Sequence, residues 1–166
     1  MSPKATKDLF RQAWSSFPTG IAVITFRQAD GAIHGLTANA VCSVSLNPLL
    51  VLVCVDHNSR SYPMLMAASR FVMNFLAQGQ EDVSRFFASR DSKGHPPFHF
   101  RRSAHGDPIL EGSVASLDAA ITERNIAGDH TIFLARVEEI DLSDTAPLVF
   151  HTGKYRAVAH PNPPEG

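Results

Sequence analysis

The chain has 166 residues, 44% hydrophobic and 19% charged, with a formal net charge of −1. That length suits one domain with a buried core, and the small net charge excludes the basic field that draws proteins to nucleic acid or anionic lipid. No apolar run approaches the roughly 20 residues of a membrane-spanning helix, and the charged first residues have no apolar stretch behind them to form a secretory signal. The expectation is a cytoplasmic protein with neither membrane nor nucleic acid as partner.

Near the N-terminus Leu9, Phe10, Ala13, Trp14 and Phe17 recur at helical spacing, with Thr6 placed to cap the helix and residues 18–20 (Pro-Thr-Gly) to stop it. Strand-like pieces follow at residues 21–26, 33–46 and 49–55, the first two joined by a turn carrying Asp30 and Gly31. Residues 49–55 are apolar throughout, the pattern of a strand covered on both faces, by barrel interior and helix or by a partner subunit. The polar loop 56–62 leads through Pro63 into a short helix over residues 64–69, proline being suited to a first helical turn. Residues 71–76 read as strand and 81–88 as helix, whereas 89–108, rich in Gly, Pro, His and Arg, read as a long surface loop. Strand character returns at 113–124, 131–142 and 148–151, before a Pro-rich tail.

About seven short strands and two or three helices, without a repeat or linker, predict a mainly β fold. A closed barrel removes unpaired edges. The single domain would span residues 1–158, with 159–166 a flexible tail. Cys42 and Cys54, inside apolar segments, read as two buried thiols.

Several common devices are missing. There is no G-x-G-x-x-G after a strand, no G-x-x-x-x-G-K-[ST] and no G-x-S-x-G, so any nucleotide must bind without a Rossmann or P-loop cradle. The eight histidines form no H-x-x-x-H helix, no Cys-x-x-Cys partners them, and Pro96 and Pro97 interrupt the spacing of His95 and His99; no metal site is expected. Glu138, Glu139 and Asp141 read as a solvated strand edge, and no acid/base pair stands out. Chemistry carried by a bound cofactor needs no nucleophile or strong base from the protein.

Three constellations remain. Residues 35–40 (Gly-Leu-Thr-Ala-Asn-Ala) and the following strand are small and hydroxyl-rich, which lets a flat heterocycle of the isoalloxazine type approach backbone amides beside Thr37 and Asn39. The same pattern also fits an ordinary strand with a polar face. The loop of residues 56–63 offers Ser59, Arg60, Ser61 and helix N-terminal amides to a phosphate, or equally a capped helix beside a solvated arginine. His130 at a strand start, with Lys154 and Arg156 near the end of the chain, fits a nicotinamide and its phosphates, or a structural histidine. Phe86 and Phe87 fit either a ring flanking the cofactor or core packing.

Taken in order, residues 17–24 (Phe-Pro-Thr-Gly-Ile-Ala-Val-Ile), 35–40 with 43–46 (Ser-Val-Ser-Leu), 59–61 (Ser-Arg-Ser), 128–130 (Gly-Asp-His), and 147–150 (Pro-Leu-Val-Phe) with 153–155 (Gly-Lys-Tyr) resemble the short-chain flavin reductase family, the reductase components of two-component flavin monooxygenases. The likeness covers about residues 10–158. It implies a split β-barrel homodimer in which NADH or NADPH reduces FMN or FAD, and the reduced flavin leaves for a separate monooxygenase. On this resemblance Thr37, Ala38, Asn39 and Ala40 line the isoalloxazine and ribityl chain, with Ser43 nearby. Asp56, Ser59, Arg60 and Ser61 hold the ribityl and phosphate end, and Phe87 packs near the flavin. His130, the residue given a catalytic role, borders the nicotinamide with Gly153, Lys154 and Tyr155. The rivals are a flavoredoxin-like electron carrier with tightly bound flavin and a non-catalytic flavin- or haem-binding barrel.

Overall fold

A computed structural model describes residues 4–90 and 94–158. Helix α1 (Lys7–Ser15) starts where expected, the Thr6 hydroxyl accepting from the Leu9 amide at 3.2 Å. Strands β1 (Thr19–Gly20), β2 (Ala22–Arg27), β3 (Ile33–Ala38), β4 (Val41–Leu46) and β5 (Leu49–Asp56) follow, then helix α2 (Tyr62–Ala67), strand β6 (Arg70–Phe75) and helix α3 (Glu81–Ala88). Next come β7 (Phe100–Arg102), β8 (Pro108–Leu110), the long β9 (Ala115–Ala127) and β10 (His130–Leu142), and finally β11 (Leu148–His151) and β12 (Lys154–Ala157).

Seven strands form one antiparallel sheet in the order β3-β2-β6-β9-β10-β5-β4. Its inner face closes on Ile24, Phe26, Val53, Val55, Phe71, Met73, Phe133 and Ala135, all essentially without solvent contact, and Leu65 of α2 joins them. A second cluster lies against the opposite face of β2: Ile21 and Val23 meet Val83 and Phe87 of α3, Leu110 of β8 and Leu148 of β11. Asn74 ties the layers together. Its Nδ2 donates to the Val23 carbonyl at 2.9 Å, and its Oδ1 accepts from the Leu110 amide and the Ser116 hydroxyl, each at 3.0 Å.

Several sequence expectations change. The stretch 33–46 is two strands: β3 and β4 sit at opposite ends of the sheet order, and the chain turns at Asn39 and Ala40 to pass between them. The strands buried on both faces are β2 and β6, with five and four of six residues buried. In β5 the side chains alternate, Val51, Val53 and Val55 pointing inward while Leu50, Leu52 and Cys54 stay half-buried outside. Within one chain only the inner face of β5 is covered. The thiols follow suit, Cys42 being exposed and Cys54 half-buried, where partial burial pushes its thiol pKa up.

Residues 100–102 and 108–110, inside and just past the expected surface loop, pair as a small hairpin. β8 is buried, and charge ties down the turn beside it: Arg70 donates to Asp107 at 3.0 Å, and also to Asp118 at 2.7 Å and Glu138 at 2.6 Å. Asp118 has its side chain fully buried and also meets His105 at 3.1 Å. Burial works against the Arg70 charge, but the bonds to these carboxylates overcome it and hold the guanidinium above its ordinary pKa. Arg70 and then Arg136 pull Glu138 down to about 2. Glu138 and Asp141 are therefore ion-paired, the latter with Arg101, and are not a merely solvated strand edge. The tail at 159–166 lies outside the described residues.

Candidate active site

β3 has one strand neighbour, β2, so the backbone groups of its other edge carry no ladder. Gly35, Thr37 and Ala38 give the end of that strand small side chains, and the fold packs α3 beside it. Gly35 explains the closeness: a Cβ there would lie 2.8 Å from Cδ1 and Cε1 of Phe87 and 3.1 Å from the Ile24 carbonyl. Phe87 therefore packs its ring directly on the strand and is buried, with Phe86 and Phe98 as ring neighbours at 5.1 and 6.0 Å.

Ser84, one turn earlier on α3, links two of the expected groups. Thr37 Oγ1 donates to the Ser84 carbonyl at 2.7 Å, and the Tyr155 hydroxyl donates to Ser84 Oγ at 3.0 Å. Tyr155 belongs to β12, whose hairpin with β11 places Gly153, at φ 74, in the turn between them. The segment around Thr37 and the segment around Tyr155 thus share one helix.

The loop after β5 meets β3 from another direction. Ser61 is buried, and its hydroxyl donates to the Gly35 carbonyl at 3.4 Å and lies 2.9 Å from His34 Nε2. It is turned inward, not onto the helix end; Pro63 opens α2 without a side-chain cap. Burial first, and the Arg60 charge second, hold His34 below the ordinary imidazole pKa. Ser59 Oγ accepts from the Ser61 amide at 3.3 Å, and Arg60 donates to the Arg90 carbonyl at 3.2 Å. Asp56 Oδ1 folds the loop on itself, accepting from the Asn58 amide at 2.7 Å. Ala38 is buried opposite Ala22, Asn39 is exposed with Nδ2 3.4 Å from Thr19 Oγ1, and the Ala40 carbonyl accepts from the Cys54 amide at 2.9 Å. Ser43 lies past the turn, on β4 opposite Val51.

His130 stands apart within a single chain. It pairs with Asp56 across the β10/β5 ladder, and its Nδ1 lies 2.7 Å from Asp129 Oδ1, the pair pulling the Asp129 carboxyl down. No hydrogen bond, ion pair or ring contact among the described residues joins it to Gly153, Lys154 or Tyr155. Sequence reasoning missed Ser84 and His34. For Ser84 a signal existed: it shares the buried side of α3 with Val83 and Phe87, a hydroxyl at an apolar position.

One group among the described residues has metal-like spacing, His105, Asp118 and Glu139, with ligand atoms within 4.8 Å of one another. Arg70 already supplies the positive charge there, 2.7 Å from Asp118 Oδ1 and 3.0 Å from His105 Nδ1.

The geometry is that of a β-barrel with an unpaired strand edge on β3, backed by α3 and flanked by the polar loop after β5. Residues 14–159 match the family model of the flavin reductase like domain, and the chain belongs to that family. It is 35% identical over 164 residues to an NADH-dependent flavin reductase of Rhodococcus sp, covering 95% of this chain and 90% of that protein. Among solved structures, the Streptomyces globisporus NADH:FAD oxidoreductase in complex with NAD and FAD fragments superposes with a TM-score of 0.88 at 32% identity, covering 96% of each chain. The styrene monooxygenase flavin reductase of Pseudomonas putida does so with a TM-score of 0.84 at 34% identity, over 92% of this chain and 99% of that one.

Proposed function

We propose that this protein is an NADH-dependent flavin reductase that binds FAD or FMN along β3, reduces it and releases it to a separate monooxygenase. The observation that supports this reading most is the Ser84 bridge: Thr37 of β3 and Tyr155 of the β11–β12 hairpin both bond to this one residue of α3. Bound there, the flavin would supply the hydride-accepting chemistry, two electrons and a proton from the nicotinamide and solvent, and the chain would supply binding and orientation.

The chain's own groups fit that task. The unladdered edge at the end of β3 offers backbone groups to the ring, and Thr37, Ala38, Asn39 and Ala40 bracket it with Ser43 beyond the turn. Ser59, Arg60, Ser61 and Asp56 form the loop for the ribityl and phosphate end. Phe87 packs against Gly35 of that strand, near the ring. Gly153, Lys154 and Tyr155 receive the nicotinamide, and His130 reaches it across a two-fold axis from a second copy.

Such a homodimer also accounts for the exposed apolar surface: Phe10, Trp14 and Phe17 on and after α1 are each about 60% exposed, and Leu46 on β4 is 88% exposed. Among the described residues no helix is long and apolar enough to cross a membrane, and the cytoplasm is the proposed compartment. Steady-state oxidation of NADH and NADPH with FAD, FMN and riboflavin tests the activity. The reading expects NADH oxidation that requires added flavin; no oxidation with any flavin contradicts it. Light scattering that reports a monomer removes the partner's His130 from the site.

A further inference from the structure

A cleft of about 520 Å3 opens between α3 and the β11–β12 hairpin, lined by Glu81, Arg85, Phe150, Lys154, Tyr155 and Arg156, with Gly153 at its rim. Three cations face it against one carboxylate. Arg85 is not free to wander: its guanidinium carbon sits 4.7 Å from the centroid of the Tyr155 ring, and Glu81 one turn back lies 3.4 Å from its NH2 group. Tyr155 is itself fixed, by Phe150 at 5.6 Å and by its hydroxyl on Ser84. A guanidinium stacked and oriented in this way presents its fork to a ligand with less rotamer freedom left to lose.

We propose that Arg85, with Lys154 and Arg156, grips the pyrophosphate of the nicotinamide dinucleotide, making Arg85 a donor-affinity residue of α3. The inference rests on the reductase reading above and adds the residue that holds the donor's charged middle. A pyrophosphate matches the site because its paired oxygens accept both arms of an arginine fork, while Lys154 and Arg156 balance the remaining charge. The placement also has a consequence for the reaction. Arg85 directly follows Ser84, so a donor anchored there is referenced to the same helix that bonds Thr37 beside the flavin edge. Because FAD carries a pyrophosphate too, the test must separate the two sources.

The test compares wild type, Arg85→Gln and Arg85→Lys with NADH, with a phosphate-free donor (N-benzyl-1,4-dihydronicotinamide), and with FAD and riboflavin as acceptors. Arg85 is exposed, so neither variant threatens the core. In Arg85→Gln the ratio of the KM for NADH to the KM for the phosphate-free donor should rise about tenfold, the worth of one charge-assisted hydrogen bond. Arg85→Lys should show a smaller rise, and the KM for FAD relative to riboflavin should hold. Added salt should weaken NADH in the wild type more than in Arg85→Gln. An unchanged ratio in a variant that still turns over overturns the grip. A rise in the KM for FAD in place of NADH overturns it as well, assigning the cleft to the flavin. Wild type that oxidises neither donor with any flavin fails the reductase reading itself, and the grip with it.

Discussion

On one side of the barrel Arg70 gathers Asp107, Asp118 and Glu138 around a single guanidinium, and His105 closes the group from outside. On another, Thr37, Ser84 and Tyr155 bond inward to one another while Arg85, Lys154 and Arg156 face an open cleft. Both regions are polar and both involve charged residues at spacings that suggest chemistry. The first is saturated: its charges answer each other, and it fastens the β7–β8 hairpin to β6, β9 and β10. The second has its internal bonds satisfied along the floor and leaves its charge at the rim. On the proposed reading, the direction in which charges point marks the site, not their density.

The sharpest way to break this contrast is Arg70→Met. Removing one guanidinium leaves the buried Asp118 without its main partner, a loss expected to cost about 3–5 kcal/mol in denaturant unfolding. The KM values for flavin and NADH should stay near wild type in the folded fraction. A large KM change with intact stability would make the Arg70 group part of the site.

Gly35→Ala comes next. The new Cβ would overlap the Phe87 ring, so β3 and α3 must separate, with an expected loss of about 1–3 kcal/mol and weaker flavin binding. Full stability with full flavin affinity would mean that the close approach of helix and strand is dispensable.

Ser84→Ala is smaller, about 1 kcal/mol for the lost Tyr155 hydrogen bond. Because Thr37 bonds the Ser84 backbone and Tyr155 its side chain, the KM for NADH should rise while the KM for flavin holds. Equal effects on both would show that the two substrates do not divide along this line.

The smallest effect is a pH dependence. His34 has a folded pKa below its unfolded value of 6.5, so the unfolded chain binds the extra proton first. Its contribution is complete above pH 6.5 and is lost as pH falls from there through the folded pKa. Glu138, lowered from 4.5 to about 2, contributes above 4.5 and loses that contribution between 4.5 and about 2. Melting curves of His34→Gln should therefore lack the first loss and keep the second. An unaltered profile would remove His34 as its source.

Much of this was legible in the sequence. The Thr6 cap, the β2–β3 hairpin, the long β9 and β10 strands and the likeness of five short segments to a known family all read correctly, because capping residues, turn glycines and period-2 patterning act locally. What stayed hidden was decided by contacts between distant residues. The break at Asn39 and Ala40 lies within an apolar, hydroxyl-rich run whose local pattern continues across it, and only the sheet order shows that β3 and β4 part. The β7–β8 hairpin is three residues on each side and is held by partners far away in the chain: Asn74 on the Leu110 amide, and Arg70, 37 positions before Asp107. Ser84 and Arg85 looked like an ordinary amphipathic helix because their partners, Thr37 and Tyr155, come from strands far away in the chain. His130, expected beside Gly153, Lys154 and Tyr155, meets Asp129 within one chain, because the β10/β5 register sets it opposite Asp56.

The central claim, that the flavin is a substrate passed on and not a fixed cofactor, is tested most directly by anaerobic filtration. Purified protein is mixed with NADH and a large excess of FAD or FMN under nitrogen, and the protein-free filtrate is analysed for reduced flavin. The account predicts reduced flavin in the filtrate in amounts far exceeding the protein. Flavin reduced only in proportion to the protein, and retained with it above the membrane, would contradict the account and establish a bound-flavin electron carrier in its place.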